Sequence, residues 1–462
     1  MHSFISALRH KNTSNDPNDV TLTQLTIPLL LENLLRVTVG LVNVLFLSRV
    51  SDGVVSAISI ANQYFTIVQV IAMSVASGVM VSVNQAIGMH NYKRVNSMAT
   101  VAIALNTVLG LLCSAFFVFF SAAFLSIMEV EEDVFQSACV YMRIVGASMI
   151  FQFIQIIISS LVRSMGKTRM PLFINLWING VNIIGCALVI FAPDLLGVDA
   201  VFGVAMANFI SQAVGLVLAI LLVRQVDIEI SPRYLHPFPW QDLKLTLVIG
   251  IPNGANNMAY GSSQLVTTAI ITRAGTAMVA AKVYASNLIT YVSQIGCSIS
   301  QANTILTGYR AGNGEFDEAM KLTHRVTILT VVSNMVCSLL LMAVRFPLLR
   351  LFTSDEEIIA IAASIMVVDF VVEIGRALNN VFAGSLQAVG DVVFQLIVNQ
   401  ASAWIISVGL SYVFGIVLGW GLQGVWLAFA IDEMTRGMIL MVRWKRQKWL
   451  PHAMAHRSQV EG

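Results

Sequence analysis

Apolar runs follow one another along this chain with only short polar interruptions. Twelve of them approach or exceed the ~20 residues that a helix needs to cross a hydrocarbon core. They fall roughly at 22–47, 54–84, 95–120, 134–162, 170–192, 200–223, 243–270, 278–308, 320–344, 358–386, 392–417 and 421–442. Lipid offers no partner for an unpaired amide, and a barrel would need short alternating strands, so the pattern predicts helices. The longest polar interruption, Asp227 to Asp242, carries Pro232, Pro237 and Pro239 and separates six spans from six. The expected organisation is a tail at 1–20, a six-helix lobe at 21–226, a linker at 227–242, a second lobe at 243–446 and a tail at 447–462.

The two sets of six are copies of one another. Pro28 and Pro252 stand 224 residues apart, and so do Arg49 and Arg273, Gly88 and Gly312, Gly166 and Gly390, Asn175 and Asn399, and Gly197 and Gly421. The acidic turn Glu131, Glu132, Asp133 meets Asp355, Glu356, Glu357 at the same shift. Leu and Val align by chance in any apolar sequence, whereas Gly, Pro, Asn and acidic turns at one constant offset mark a duplication. Six is an even number, so both copies enter the membrane in the same orientation. Parallel repeats of this kind place substrate sites between the halves near mid-bilayer.

Composition agrees with the spans: 57% of the 462 residues are hydrophobic and only 11% are charged. The formal net charge of +2 gathers no basic stripe for nucleic acid. With the N-terminus inside, eighteen Lys and Arg fall on the inner side, among them Lys93, Arg94, Arg163, Lys167, Arg310 and Arg443, against five (Arg49, Arg273, Lys282, Arg345 and Arg350) on the other. That bias predicts cytoplasmic termini in a multi-pass protein of the plasma (inner) membrane. The N-terminal stretch lacks an apolar core with a small-residue cleavage site, so no cleaved signal peptide is expected. Five widely spaced cysteines, all in apolar spans, form neither a disulfide framework nor a metal motif.

Charges inside the spans carry the functional signal, since each costs roughly 2.5–3.5 kcal/mol at mid-span. They are Glu32 and Arg36 on the first span, Arg143 on the fourth, Asp369, Glu373 and Arg376 on the tenth, and Asp432, Glu433 and Arg436 on the twelfth. Left unpaired, the nine would cost roughly 20–30 kcal/mol. Helical spacing predicts that Glu32 pairs with Arg36, Glu373 with Arg376, and Asp432 with Arg436. Asp369 and Glu373, four apart, crowd two like charges unless one binds a proton or a cation. The bland alternative is that these groups are neutralised pairs that lock helices together, or that they lie close enough to the surface to snorkel, as the trio on the twelfth span does near its inner end. The functional expectation assigns proton or cation coupling to Glu32, Asp369, Glu373 and Arg376, and gating or charge pairing to Arg36, Asp432, Glu433 and Arg436. Asn33, Asn43, Gln63, Asn175, Asn179, Asn256, Asn257, Tyr260 and Asn379 are expected to line a passage, although an interhelical hydrogen bond explains any single Asn as well.

Ile27-Pro28, the Gly40 to Asn43 segment, the Gly88 turn, Arg163 to Gly166, Gly384 to Asp391 and the Gly421 to Gly424 segment together resemble the multidrug and toxic compound extrusion (MATE) transporters of the MOP flippase superfamily. The resemblance covers nearly the whole chain. It implies two six-helix lobes forming a V, and export of amphipathic, often cationic compounds in exchange for protons or sodium ions. The chain departs from the family at the acidic positions: Asn43 stands where many members carry Asp, Tyr260 where some carry an acid on the seventh span, and Arg376 where certain members place one on the tenth.

Other chemistry is weakly supported. Gly166, Lys167 and Thr168 mimic the tail of a phosphate loop, but no strand precedes them and Leu161 takes the first glycine's place. All seven histidines lie in tails, loops or span ends, which argues against a buried metal site or an intramembrane hydrolase. The sequence therefore predicts a twelve-helix, non-enzymatic, monomeric antiporter with no cofactor beyond H+ or Na+, whose partners are small-molecule substrates and membrane lipid. A lipid-linked saccharide or lipid flippase of the same superfamily is the alternative and favours a basic cavity. A membrane-embedded enzyme or receptor is the third reading and predicts a nucleophile–base pair, a metal constellation or an added soluble domain.

Overall fold

The computed structural model describes residues 17–47, 52–127, 132–191, 197 and 199–461. Arg49 and most of the first acidic turn lie outside them. Twelve helical spans follow in order: α1 (Leu22–Leu47), α2 (Asp52–Gly88), α3 (Tyr92–Ile127), α4 (Glu132–Ala147, then Met149–Ser164), α5 (Arg169–Phe191), α6 (Ala200–Val223), α7 (Trp240–Ala274), α8 (Thr276–Asn313), α9 (Phe316–Ala343), α10 (Glu356–Ala388), α11 (Val392–Val417) and α12 (Gly421–Lys445). A thirteenth helix, α13 (Leu450–Glu461), closes the chain. No strand occurs among the described residues. The protein is an all-α integral membrane protein. Eight of the spans meet length and hydropathy limits for a membrane crossing; the other four, α1, α7, α8 and α12, carry polar groups or adjoin undescribed residues.

Most helices run a few residues past the apolar stretches that predicted them, because polar caps and small turns finish them. Asp199 and Asp355 cap α6 and α10, each accepting from two backbone amides of the first turn. The single span expected at 134–162 is broken at Ser148, whose hydroxyl donates to Val145 O at 2.7 Å. Pro28 inside α1 lacks the N–H that Gln24 O would accept, and the Thr168 hydroxyl donates to that carbonyl at 3.4 Å. In α11 the backbone widens into π-turns at Ser402–Val408 and Val413–Val417.

The duplication is written in the backbone. Left-handed residues pair at the 224 offset: His90 (φ 57°) with Gly314 (80°), Gly166 (74°) with Gly390 (84°), and Gly197 with Gly421 (both 58°). The linker leaves α6, rests on α3 through Glu229 N–H to Asn96 Oδ1 (2.9 Å), and enters α7.

The lobes meet along α2, which packs on α7 and α8, and along α1, which packs on α8. The seam runs from the linker end toward mid-depth. There the repeat makes an isologous contact. Gly88 lies against the backbone of Tyr309, and Gly312 lies against the backbone of Gln85, its equivalent. A Cβ on Gly308 would stand 2.7 Å from Cβ of Asn84, its own counterpart. Two side chains reciprocate: Gln85 Nε2 donates to Ala388 O at 2.8 Å, and the Tyr309 hydroxyl donates to Ser164 O. Both donors and both acceptors are 224 apart. Farther along, Asn253 meets Ser77 (3.3 Å), Asn33 meets Ser298 (2.9 Å) and Thr38 meets Tyr291 (3.4 Å). Beyond these, Gly40 and Gly261 face open space, and Asn257, Met258 and Tyr260 are exposed. These inter-lobe contacts thus gather at the linker end and toward mid-depth.

Candidate functional site

Two helices of the second lobe, α10 and α12, build a buried ionic cluster at mid-helix. Gly375 on α10 and Gly437 on α12 let these helices approach so closely that a Cβ on Gly375 would lie 2.6 Å from Met434 N. The approach brings Asp369, Glu373 and Arg376 against Asp432, Glu433 and Arg436. Arg436 donates to Asp432 Oδ2 (2.7 Å) and Glu433 Oε1 (2.6 Å), and its guanidinium lies 5.7 Å from the Tyr260 ring. Arg376 pairs with Glu373, as its spacing predicts. Four further carboxylate oxygens are met by neutral donors: Asn334 to Glu373 (2.8 Å), Asn379 to Glu433 (2.9 Å), Trp426 Nε1 to Asp369 Oδ1 (3.1 Å) and Ser402 to Asp432 (2.5 Å). Ser402 opens the first π-turn of α11, which aims its hydroxyl inward.

All four carboxylates are at most 6% exposed. Two guanidiniums cannot neutralise four carboxylates, so the fully ionised cluster carries an excess of two negative charges in an apolar surround. Binding a proton or a cation would offset that excess. The trio on α12, expected near the inner surface, instead sits mid-helix and buried, so snorkelling does not account for it. Asn379, expected to line the passage, is a buried member of the cluster.

The first lobe has no copy of this cluster. At the 224 offset, Gln152 stands for Arg376, Gln212 for Arg436, Asn208 for Asp432, Val145 for Asp369 and Met149 for Glu373. An amide pair, Gln69 Nε2 to Gln152 Oε1 at 2.6 Å, replaces the ion pairs. The charge of this lobe lies nearer the linker end. Glu32 does not pair with Arg36, four residues on; Arg163 at the end of α4 reaches it first, and Asn175 of α5 donates to the same oxygen at 2.8 Å. The second oxygen, Glu32 Oε2, is buried without a hydrogen-bond partner. Arg36 is exposed and donates to Asn33 Oδ1 at 2.9 Å. A tertiary partner thus overrides the helical spacing. Arg143 donates to Ser121.

The other polar residues scatter. Asn33 belongs to the seam, Asn256 accepts from Gln400 (3.2 Å), and Asn179 donates to the carbonyl of Asn175. Gln63 and Asn257 are exposed, and the side chain of Asn43 lies outside the described residues. Asn334, Ser402, Trp426 and Arg163 were not singled out by the sequence, since nothing local distinguishes a ligand from filler there. Among the described residues, no three His, Cys, Asp or Glu side chains are placed to hold a metal ion.

A family model, MatE, matches the chain twice, over residues 28–188 and 252–413, the two starts being the helix prolines of α1 and α7. The chain belongs to the MatE family. Among its relatives, an uncharacterized transporter, YisQ of Bacillus subtilis (strain 168), is 31% identical over 95% of this chain and 97% of that protein. A probable multidrug resistance protein NorM of Thermotoga maritima is 24% identical over 95% of each. The MatE fold is equally plain in solved structures. A multidrug resistance MATE family transporter of the MOP superfamily in an outward-facing conformation superposes with a TM-score of 0.87 at 18% identity, covering 96% of this chain and 99% of that one. A MOP superfamily transporter from Pyrococcus furiosus gives 0.85 at 18% identity over 98% and 100%. This MatE protein is a multi-pass membrane transporter of the multidrug efflux family.

Proposed function

We propose that the protein is a proton-coupled antiporter that exports amphipathic, cationic small molecules by alternating access. Residues 21–226 and 243–446 rock against each other about the seam, and the linker 227–242 joins them at the cytoplasmic face of the inner membrane. The observation that carries this reading is the buried second-lobe cluster with its two excess negative charges, in a chain whose lobes are fastened to each other at the linker end. Inter-lobe contacts gathered at that end suit an outward-open state, the conformation named for one solved neighbour. The positive-inside bias puts the linker end in the cytoplasm.

Proton is favoured over sodium because Arg, Trp, Asn and Ser donors already engage the carboxylate oxygens of Glu373, Asp432 and Glu433 and one of Asp369, whereas a hard cation needs those oxygens for its own shell. Glu32, with one unpartnered oxygen, is the second coupling group, and Arg163 and Asn175 orient it. Protonation at Glu32 and at Asp369 or Glu373 releases a charge pairing that holds one state, and Asp432, Glu433 and Arg436 keep α10 and α12 moving as one. Four acids against two arginines disfavour the flippase reading, which asks for a basic cavity.

Dye efflux from proteoliposomes tests this. An imposed pH gradient should drive efflux, a sodium gradient at constant pH should not, and Glu32→Gln and Asp369→Asn should each slow pH-driven efflux about tenfold or more. Full gradient-driven transport in both variants refutes the site assignment.

A further inference from the structure

The structure assigns a gating task to the C-terminal helix: we propose that α13 is a clasp laid across the two lobes at the linker end, with His456 and Val460 holding the seam shut and letting go when the lobes part. The proposal rests on the rocking reading above.

The two halves of α13 engage the two lobes differently. Its entry is fixed to the second lobe. The Trp449 ring stacks on Trp444 of the α12 end at 4.4 Å, and Trp449 and Ala453, both buried, share a core with Phe382, Leu386 and Leu440. His456 then lies over the Gly390 turn, where a Cβ on the glycine would stand 3.1 Å from the imidazole. The far end reaches the first lobe as well. Val460, fully buried, joins the apolar cluster that fills the seam with Ala86, Ile87 and Val95 of the first lobe. Gln459 O accepts from Arg94 Nη2 on α3 at 3.2 Å and from Gln241 Nε2 on α7 at 3.1 Å, one carbonyl bridging both lobes. A helix that merely shielded one lobe would have no reason to bury its last turn in the other.

Its middle grips the lock itself. Gln85 of α2 spends Nε2 on Ala388 O, so its Oε1 is left to accept from His456 Nδ1–H at 2.8 Å. His456 is anchored to the second lobe, so a second hydrogen bond of Gln85 now crosses between lobes. Arg457 Nε adds a bond to Gly312 O (2.9 Å), the glycine pressed against the Gln85 backbone. On the equivalent Tyr309–Ser164 side, the Gly166 turn is covered by Val20, and no such helix lies there among the described residues. Separating the lobes at this end must pull Gln85 from two acceptor–donor partners at once and draw Val460 from its pocket.

The experiment uses the full chain with its five cysteines replaced by serine and spin labels at Lys93→Cys (first lobe) and Asp317→Cys (second lobe), both exposed at the linker end. Distance distributions are recorded in lipid nanodiscs with and without drug. Val460→Asp, which unseats only the last turn, and the milder His456→Ala should each raise the population of the long, linker-open distance at least threefold over the parent. If the parent shows two distances and both variants leave their ratio unchanged, α13 is not a clasp. A parent that shows one distance under every ion and drug condition overturns the rocking reading, and the clasp with it.

Discussion

At the scale of single residues, the molecule places each buried charge where a partner from another helix can reach it. Glu32 is the instructive case, because a helical neighbour at ideal spacing lost to Arg163 from another helix. Outside the membrane, His456 is a buried base whose one bonded partner is an amide. Burial alone pulls its pKa down to about 4. The free imidazole of an undocked α13 titrates near 6.5, so below that value the released state binds the extra proton and docking weakens as pH falls toward 4. Above 6.5 both states are neutral and the contribution is complete. The loss amounts to about 3 kcal/mol across that window. Hydrogen exchange in 450–461, corrected for intrinsic rates, should accelerate between pH 7 and pH 5, and His456→Gln should flatten that dependence.

Elements are shaped by where small residues fall. Gly88 and Gly312 admit backbone to backbone, and a larger side chain at either must push α2 from α8 because the obstacle is a carbonyl, not a flexible tip. Gly88→Val is expected to destabilise the sealed form by about 1–3 kcal/mol. Thermal unfolding in detergent should fall, and a cysteine introduced at Val460, buried at the linker end of a chain otherwise freed of cysteines, should become reactive to a water-soluble maleimide. Gly40→Val, with nothing within 4 Å, should leave both unchanged. The helices themselves were legible in the sequence, since a run of apolar residues in lipid has one backbone solution. The break at Ser148 and the π-turns of α11 were not: Gly146, Gly409 and Gly415 lie at or beside them, but glycines such as Gly78 also sit inside unbroken spans, and packing against neighbours sets the breaks.

For the whole molecule, the two-lobe fold was readable from one number, the 224-residue offset, which recurs in left-handed residues, in the family match and in the seam bonds, while the family was readable from motifs such as Ile27-Pro28 and Gly384 to Asp391. The candidate site was readable only as a set of costly charges. Which charge meets which depends on helices far apart in sequence, so Arg163 with Glu32 and Ser402 with Asp432 had no local signature. Symmetry does make one quantitative demand on the seam. Gln85→Leu and Tyr309→Phe each remove one of two equivalent bonds, and each should favour the linker-open state by about 1 kcal/mol, or about fivefold in population. Inter-lobe distance measurements check this, with the Gln85 change the larger because it also frees His456.

The paired bonds at Gln85 and Tyr309 have a mechanical consequence. They cross the interface at two points, and the line between those points lies in the plane where the lobes meet. Tilting one lobe about that line strains neither fastening, yet it changes the width of the mouth on the opposite face. The line is a built-in axle: while it stays intact, the cavity can breathe to admit guests of different girth without admitting anything from behind.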